Sequence, residues 1–242
     1  MERWCLWVAV ALNVCGVLHL GVFVVDDRPW SGPLSWRKPA TFGVSFGLTL
    51  ATVVWVASYV ELAAKTRAVL LTVLAADSVV EVGGITVQAW RHRPSHLDTE
   101  TPFDASVATV LAVGGAVLVV VLGTFAVPAV RGRLSGARSM RLAVRAGFLL
   151  LLAGLASGAA MIARGTLEKR TGSPARAYEV AGFLKDFHGV TLHGVLVLPA
   201  LAWWLARTRL PEPPRYRLVA VAIGCYAVTA VAVLVFDLVT RT

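Results

Sequence analysis

Acidic residues, polar stretches and cysteines are all scarce in this sequence of 242 residues. Only 15% of the residues are charged and 57% are hydrophobic, which exceeds what a soluble core requires and is typical of a polytopic membrane protein. The 23 Lys and Arg against 14 Asp and Glu give a formal net charge of +9, but these cations lie in short loops between apolar runs. No interleaving of basic and stacking aromatic residues accompanies them, which excludes a nucleic-acid-binding protein.

The three cysteines, Cys5, Cys15 and Cys225, each lie within an apolar run. No CxxC or paired spacing occurs, which excludes a disulfide framework and a zinc knuckle. The first apolar run is too long for the core of a signal peptide, and no small-x-small cleavage site follows it. We therefore expect this run to be retained as the first membrane span.

Seven apolar runs are long enough to cross roughly 30 Å of hydrocarbon at about 1.5 Å per residue. They cover approximately residues 4–25, 40–60, 68–89, 105–130, 142–163, 189–206 and 218–238. This pattern predicts an all-α polytopic membrane protein in which residues 1–242 form a single transmembrane domain, one bundle of seven helices. No internal repeat relates the two halves, which disfavours an inverted-repeat transporter.

The loop charges predict the orientation in the membrane. Lys and Arg are nearly equal in number on the two sides, so the orientation depends on loops 131–141 and 207–217, which are short and almost purely basic. Such loops are typical of the cytoplasmic side. We expect a multi-pass protein of the bacterial plasma membrane, surrounded by membrane lipid, with its N-terminus in the cytoplasm and its C-terminus outside.

The third span carries polar residues on one helical face. Asp77, Glu81, Gly84 and Gln88 are spaced four, three and four residues apart, so they lie above one another on a helix. Each carboxylate at the centre of a bilayer costs roughly 2.5–3.5 kcal/mol on insertion scales. Such residues persist when they face other helices, either as a structural polar seam or as a reactive site.

The other membrane-embedded polar residues are predicted to gather towards one side, the side of loops 26–39, 90–104 and 164–188. They are His19, Glu81, Arg164, His193 and Asp237. All five histidines lie towards this side. A transport path usually continues to both sides of the membrane, so the one-sided distribution favours a pocket.

The leading hypothesis is acid–base catalysis in this pocket. Burial disfavours the charged form of Glu81, and a protonated carboxylic acid in a dry site is a competent proton donor. Asp77 would tune Glu81, and His96, His193 and Asp104 would form the polar end. Aromatic rings at the same level would stabilise a carbocation.

The predicted substrate-binding residues are of three kinds: aromatic side chains, one amide, and two cations at the start of span two. They are Trp36, Trp90, Phe103, Phe187, Gln88, Arg37 and Lys38. The two cations can meet a diphosphate or simply anchor the helix to lipid headgroups. The aromatics are also typical of an interfacial belt.

A metal or haem is the alternative, with His96, His188, His193 and His19 as candidate ligands. The spacing disfavours it, because His188 and His193 are five residues apart and so point in different directions on a helix. No HExxH or dense histidine array is present. We therefore predict no cofactor; a small-molecule transporter or sensor is the third possibility.

At the start of span four, the sequence TPFD predicts a helix entry. Asp104 is the predicted N-cap residue, with Pro102 near the entry and Thr101 before it.

Three segments carry a resemblance: WRKPATFGVSFGL, EVGGITVQAWRHRPSHLDTETPFD and HGVTLHGVLVLP. They resemble the motifs of a widespread family of bacterial polytopic membrane proteins of unassigned function. The resemblance singles out Arg37, Lys38, Glu81, Gln88, His96, Asp104, His188 and His193. The chain has Leu97 and Asp98 where the family has Phe and Asn, and Val197 where Gln is usual.

In size and in its intramembrane carboxylates, the chain is also similar to small seven-span terpene cyclases. That architectural similarity and the acid–base hypothesis imply an enzyme, a cyclase, isomerase or lyase, that acts on a lipophilic isoprenoid or terpenoid substrate by protonation and carbocation cyclisation.

Overall fold

The structure is a computed structural model that describes residues 2–26, 28, 30, 32, 34–172 and 174–241. Within these ranges the chain forms a 3₁₀ helix (Ala57–Tyr59), eight α-helices and no strand. The α-helices are α1 (Glu2–Val25), α2 (Arg37–Val56), α3 (Ala64–Trp90), α4 (Pro102–Val130), α5 (Arg138–Thr171), α6 (Pro174–Val180), α7 (Lys185–Leu205) and α8 (Glu212–Thr240). All of them except α6 are long and apolar enough to cross a membrane, which confirms the predicted all-α fold with seven spans.

Several predicted boundaries are wrong by about a turn or more; α8, for example, begins at Glu212 rather than at 218. Span five was expected at 142–163, but α5 runs on to Thr171, because the polar turn after Arg164 contains the strong helix formers Leu, Glu, Lys and Arg. Span six was expected to begin at 189, but α7 begins at Lys185. Its first turn is held by a hydrogen bond from Phe187 N to the Asp237 carboxylate of α8, a tertiary contact that has no local sequence signal.

The chain divides into two compact units, and the first comprises Met1–Val54 and Ala63–Leu122. In it, α1 and α2 approach closely at glycine. A Cβ atom added to Gly16 would lie 2.6 Å from Val44 N, and one added to Gly43 would lie 2.7 Å from the Gly16 backbone. Small residues permit this backbone approach, as in many membrane helix pairs. At the N-terminal ends of the helices, the Cys5 thiol lies 3.7 Å from the Leu71 carbonyl oxygen, so α1 packs against α3.

The antiparallel pair α3 and α4 positions the predicted site. Near the start of α4, Gln88 contacts Asp104. About two turns further along α4, Gly84 lies against the Leu111 side chain. The polar face of α3 is therefore directed at α4, as the spacing of its polar residues requires.

The second unit comprises Trp55–Leu62 and Gly123–Thr242. Acidic residues near both ends of α8 bind first-turn amides of other helices: Glu212 accepts a hydrogen bond from Ser139 N and Asp237 accepts one from Phe187 N. The Tyr226 hydroxyl donates to the Val190 carbonyl oxygen at 2.6 Å. These contacts fasten α8 to α5 and α7. The single transmembrane domain over residues 1–242 stays a prediction.

Candidate active site

Asp104 is fully buried at the first turn of α4, where it belongs to a capping arrangement. The predicted role as N-cap is wrong by three residues. Thr101 is the N-cap: its hydroxyl accepts the Asp104 N–H at 3.2 Å and donates to the Asp104 carboxylate at 2.6 Å. Pro102 therefore occupies the first helical position, where its missing N–H costs nothing. In the sequence, the pair Thr101-Pro102 rather than Asp104 marks the start of the helix.

The Asp104 carboxylate is also compensated from α3. Gln88 Nε2 donates to Asp104 Oδ1 at 2.9 Å, and Arg91 forms an ion pair with the same oxygen at 2.5 Å. Arg91 donates to Gln88 Oε1 as well. Both carboxylate oxygens of Asp104 therefore have donors, and the three side chains form a closed network that joins α3 to α4.

Asp77 and Glu81 lie deeper in α3 and have a different environment. Both carboxylates lie over Gly114 of α4: a Cβ atom added there would collide with Glu81 Oε1 and lie 2.9 Å from Asp77 Oδ1. The absence of a side chain at Gly114 provides the space that these two groups occupy. The pair is therefore brought together by the structure, as the i, i+4 spacing predicted.

Neither of these carboxylates is compensated. Glu81 is only 3% exposed, and no hydrogen bond or ion pair joins it to another residue in the described part of the chain. Asp77 is half-buried, and its Oδ2 atom is buried without a hydrogen-bond partner. Buried carboxylates are normally paired with a cation or hydrogen-bonded, as Asp104 is. Asp77 and Glu81 therefore depart from this pattern.

Trp90, predicted to line the pocket of Glu81, lies on another face of α3. Nine residues separate the two, which places them on opposite sides of a helix. The Trp90 indole N–H donates to His19 Nε2 of α1 at 3.2 Å. His19 Nδ1 lies 2.8 Å from the Cys15 carbonyl oxygen, so Nδ1 carries the proton and Nε2 is free to accept. The structure does not bring the Trp90 ring to the carboxylate pair.

Trp36 belongs to the same aromatic cluster as Trp90. Its ring centroid lies 5.0 Å from that of Trp90 and 5.8 Å from that of His19. The Arg28 guanidinium lies over the Trp36 ring at 3.8 Å. Arg28 also donates hydrogen bonds to the Asp26 carboxylate, and these bonds lower the pKa of Asp26 to about 2. The cluster is a cation–aromatic stack between α1, α2 and the end of α3.

Two further predicted binding residues lie near loops of the first unit. Phe103 is exposed, and the Arg91 guanidinium lies 4.3 Å from the centre of its ring. Arg37 donates from Nε to the Trp30 carbonyl oxygen at 3.3 Å. Neither residue contacts the carboxylate pair.

His96 lies in the loop between α3 and α4. Its Nδ1 atom shares a hydrogen bond of 2.9 Å with the Ser95 hydroxyl, and its ring lies 6.1 Å from that of Phe42. Burial, and to a smaller degree the positive charge of Lys38, lower the pKa of His96 to about 3. His96 is therefore neutral near pH 7 and is not a proton donor there.

The remaining predicted residues lie in the second unit. His188 Nδ1 bonds to the Gly154 carbonyl oxygen of α5 at 2.8 Å, whereas His193 is exposed and bonds to the Gly189 carbonyl oxygen of its own helix. Phe187 contributes its backbone N–H to Asp237. The two histidines therefore bond to carbonyl oxygens of different helices, His188 to α5 and His193 to α7. Among the residues it describes, no group of three His, Cys, Asp or Glu is placed to hold a metal ion, and the metal or haem alternative stays a prediction.

A cleft lies at the N-terminal ends of α1 and α3, away from the residues described above. It has a volume of about 380 Å³ and is bordered by Glu2, Arg3 and Arg67, among others. Glu2 and Arg67 approach each other to 3.8 Å across it. No predicted site residue lies there.

Sequence reasoning missed two contributors to these sites. Gly114 was hidden in an apolar run rich in glycine and valine, although the Gly114–Gly115 pair marks a point of close approach. Arg28 follows Asp26 in a loop and gave no sign that it would lie over Trp36.

No protein-family model, curated protein or solved structure matches this chain. The resemblance of its three motifs to the bacterial membrane family therefore stays a hypothesis.

Proposed function

We propose that this multi-pass membrane protein is an enzyme that protonates a lipophilic, isoprenoid-type substrate, with Glu81 as the acid. One observation carries the proposal: Glu81 and Asp77 share the space over Gly114, and no cation or hydrogen-bond donor among the described residues is paired with Glu81 or with Asp77 Oδ2. A neutral acid satisfies this environment, whereas an ionised carboxylate does not. The proposed reaction therefore gives a function to two carboxyl groups whose burial without partners is energetically unfavourable.

The environment also determines which molecules can reach the acid. Glu81 is buried, but Asp77 is half-buried, and Val73 and Val80, about one turn away on the same helical face, are exposed on a helix of membrane-spanning composition. Access to the pair is therefore from the hydrocarbon of the bilayer. A substrate with a long apolar chain fits this route, and a water-soluble one does not.

In the proposed reaction the Glu81 O–H bond breaks and its proton adds to a carbon–carbon double bond of the substrate. The π electrons form the new C–H bond and leave a carbocation, while Glu81 becomes a carboxylate. Attack by a second double bond closes a ring, and loss of a proton from an adjacent carbon to the Glu81–Asp77 pair restores the acid. The sequence of steps is a net isomerisation and needs neither an oxidant nor a cofactor.

A structural polar seam explains the other buried acids better than it explains this pair. Asp104 has donors on both oxygens, and Asp237 accepts Phe187 N–H at 2.8 Å while lying 3.5 Å from Arg241 Nε. A seam gains stability from such bonds, and Glu81 has none. We assign Asp104 and Gln88 a positioning role, since they hold the ends of α3 and α4 together.

In the cell, we place the protein in the plasma membrane with its N-terminus in the cytoplasm. The end of α3 that carries the Asp104 network then faces outwards. Membrane lipid and the lipophilic substrate are its proposed partners.

The test is product analysis with the full chain in liposomes and a panel of linear isoprenoids, followed by gas chromatography and mass spectrometry. Glu81→Gln keeps the size of the side chain but cannot donate the proton, so we expect a rate loss of roughly 10²–10⁴-fold. Glu61→Gln, at an exposed residue between the 3₁₀ helix and α3, is the matched control and should keep full activity. Full activity of Glu81→Gln would refute the assignment.

A further inference from the structure

A small polar cavity lies between the start of α2 and the end of α3, in the first unit. Its volume is about 10 Å³, and it is bordered by the side chains of Ser35, Lys38, Arg93 and Ser95 and by the apolar residues Ile85 and Ala89. A space of this size holds about one water-sized group. The polar groups around it are hydroxyls and cations, without a carboxylate.

Two of these groups lack a partner. The Ser35 hydroxyl is buried without a hydrogen bond, although the residue is only 2% exposed. The Lys38 ammonium makes no ion pair or hydrogen bond with any residue in the described ranges. An uncompensated cation beside an unpaired buried hydroxyl is costly unless a ligand satisfies both.

The neighbouring groups do not neutralise Lys38. Arg93 is paired with Glu100, so this pair adds no net charge. His96 is neutral and shares a hydrogen bond with Ser95. Among the described residues that border the cavity, Lys38 is therefore a cation without a partner beside hydroxyl donors, a set that recognises the oxygen atoms of phosphate.

Part of the border of the cavity belongs to the same helix as the acid, because Ile85 and Ala89 are one and two turns after Glu81 on α3, about 6 and 12 Å along the helix. Both residues are buried, whereas Val80 and Val87 of the same helix are exposed. A hydrocarbon chain can therefore follow the exposed strip of α3 from the cavity towards the carboxylates. A molecule with an anionic head and a hydrocarbon chain fits both parts.

We propose that Ser35, Lys38 and Ser95 bind a phosphoryl oxygen of a prenyl phosphate or diphosphate whose hydrocarbon chain extends along α3 to Glu81. The cavity receives one oxygen, and the rest of the head group lies at its mouth. That the bound prenyl compound is the substrate rests on the proposed function, whereas the anion site itself rests on the cavity. Protonation by Glu81 leaves the phosphate ester intact, so the head group serves only for binding.

The test measures binding to the full chain in nanodiscs of neutral phosphatidylcholine, by isothermal titration calorimetry. The ligands are a prenyl diphosphate, the prenyl alcohol of the same chain length, inorganic pyrophosphate and phosphatidic acid. A hydrogen-bonded charge pair is worth about 1.5–3 kcal/mol, so the prenyl diphosphate should bind roughly ten- to a hundredfold more tightly than the alcohol. It should also bind more tightly than inorganic pyrophosphate, which has no chain.

Variants identify the site. Lys38→Gln should remove at least about tenfold of the preference for the diphosphate, and Lys38→Arg should retain most of it. Ser35→Ala, which changes little in the fold, should weaken diphosphate binding and leave alcohol binding unchanged. Lys65→Gln, an exposed lysine at the other end of the unit, is the matched control and should have no effect.

Several outcomes would overturn the site. They are equal affinity for diphosphate and alcohol, a Lys38→Gln variant with the affinity of the wild type, equally tight binding of inorganic pyrophosphate, or equal competition by phosphatidic acid, which would make it a lipid headgroup site.

Glu81→Gln separates the two proposals, because it should bind the prenyl diphosphate normally and form no product. Binding without turnover by the wild type would refute the proposed function alone. Turnover of the prenyl diphosphate at subsaturating concentration that is insensitive to Lys38→Gln would refute the anion site alone.

Discussion

At the scale of single residues, compensation distinguishes the buried acids of this protein. Asp104 has a hydrogen-bond donor on each oxygen, whereas Asp77 and Glu81 have only the space over Gly114. A carboxylate in a membrane helix is energetically costly whether it is charged or neutral, and this pair, which has no donor among the described residues, retains a demand for a proton or a ligand. The proposed chemistry follows from that demand.

Gly114→Ala tests whether the missing side chain makes room for the carboxylates. The new Cβ would collide with Glu81 and press on Asp77, so we expect a loss of activity and a destabilisation of roughly 1–3 kcal/mol. Thermal unfolding in detergent and product analysis measure the two effects.

Gly115→Ala is the matched control, because nothing lies within 4 Å of an added Cβ there. Alanine favours a helix over glycine by about 1 kcal/mol, so this variant should be as stable as the wild type or more stable. Equal behaviour of the two variants would contradict the packing of the carboxylates on Gly114.

His96 should make the stability of the protein depend on pH. Its folded-state pKa is about 3 and its ordinary value is 6.5, so the unfolded chain takes up the proton first as the pH falls. The stability that neutral His96 contributes is present above pH 6.5 and is lost as the pH falls towards 3. We expect the Tm of the detergent-solubilised protein to fall over this window, and to fall less in His96→Gln.

The control for this titration is His92→Gln, an exposed histidine of the same loop. It should keep the pH dependence of the wild type. If His96→Gln also kept it, the low folded-state pKa of His96 would be wrong.

At the scale of elements, the sequence predicted the helices well and their connections less well. The apolar runs located all seven spans, because membrane helices must satisfy their backbone groups internally and be long enough to cross. The start of α7 was missed because Asp237, fifty residues away, binds its first turn. Likewise, the separation of Trp90 from Glu81 was implicit in the helical period of α3 but was not used in placing the aromatic residues.

Asp237→Ala should destabilise the second unit. It removes the acceptor for Phe187 N–H at the start of α7, a cap whose loss costs about 0.5–2 kcal/mol, and it leaves Arg241 with one fewer carboxylate. Asp237→Asn retains an acceptor oxygen and should be affected less. Thermal unfolding measures both.

Thr240→Ala, an exposed position on the same helix, is the control and should be close to neutral. A stability of Asp237→Ala equal to that of this control would show that the tertiary cap contributes nothing.

At the scale of the whole molecule, composition alone predicted a membrane protein, and the structure confirms seven helices of spanning length. The i, i+4 spacing predicted the Asp77–Glu81 pair. The sequence could not reveal which acids are compensated, because Arg91 and Gln88 reach Asp104 from a different helix. The anion cavity was predictable only in part. The sequence indicates Lys38 as a possible diphosphate contact, but no pattern in it indicates that Ser35 and Ser95 lie beside Lys38.

The central claim is that Glu81 holds a reactive proton inside the membrane. The most direct measurement is modification of the full chain by a hydrophobic carbodiimide, which reacts with protonated carboxyl groups, followed by mass spectrometry of the peptides. We expect an adduct at Glu81 that is absent in Glu81→Gln, and no adduct at the ion-paired Asp104 or Asp237. An unmodified Glu81, or equal modification of Asp104, would contradict it.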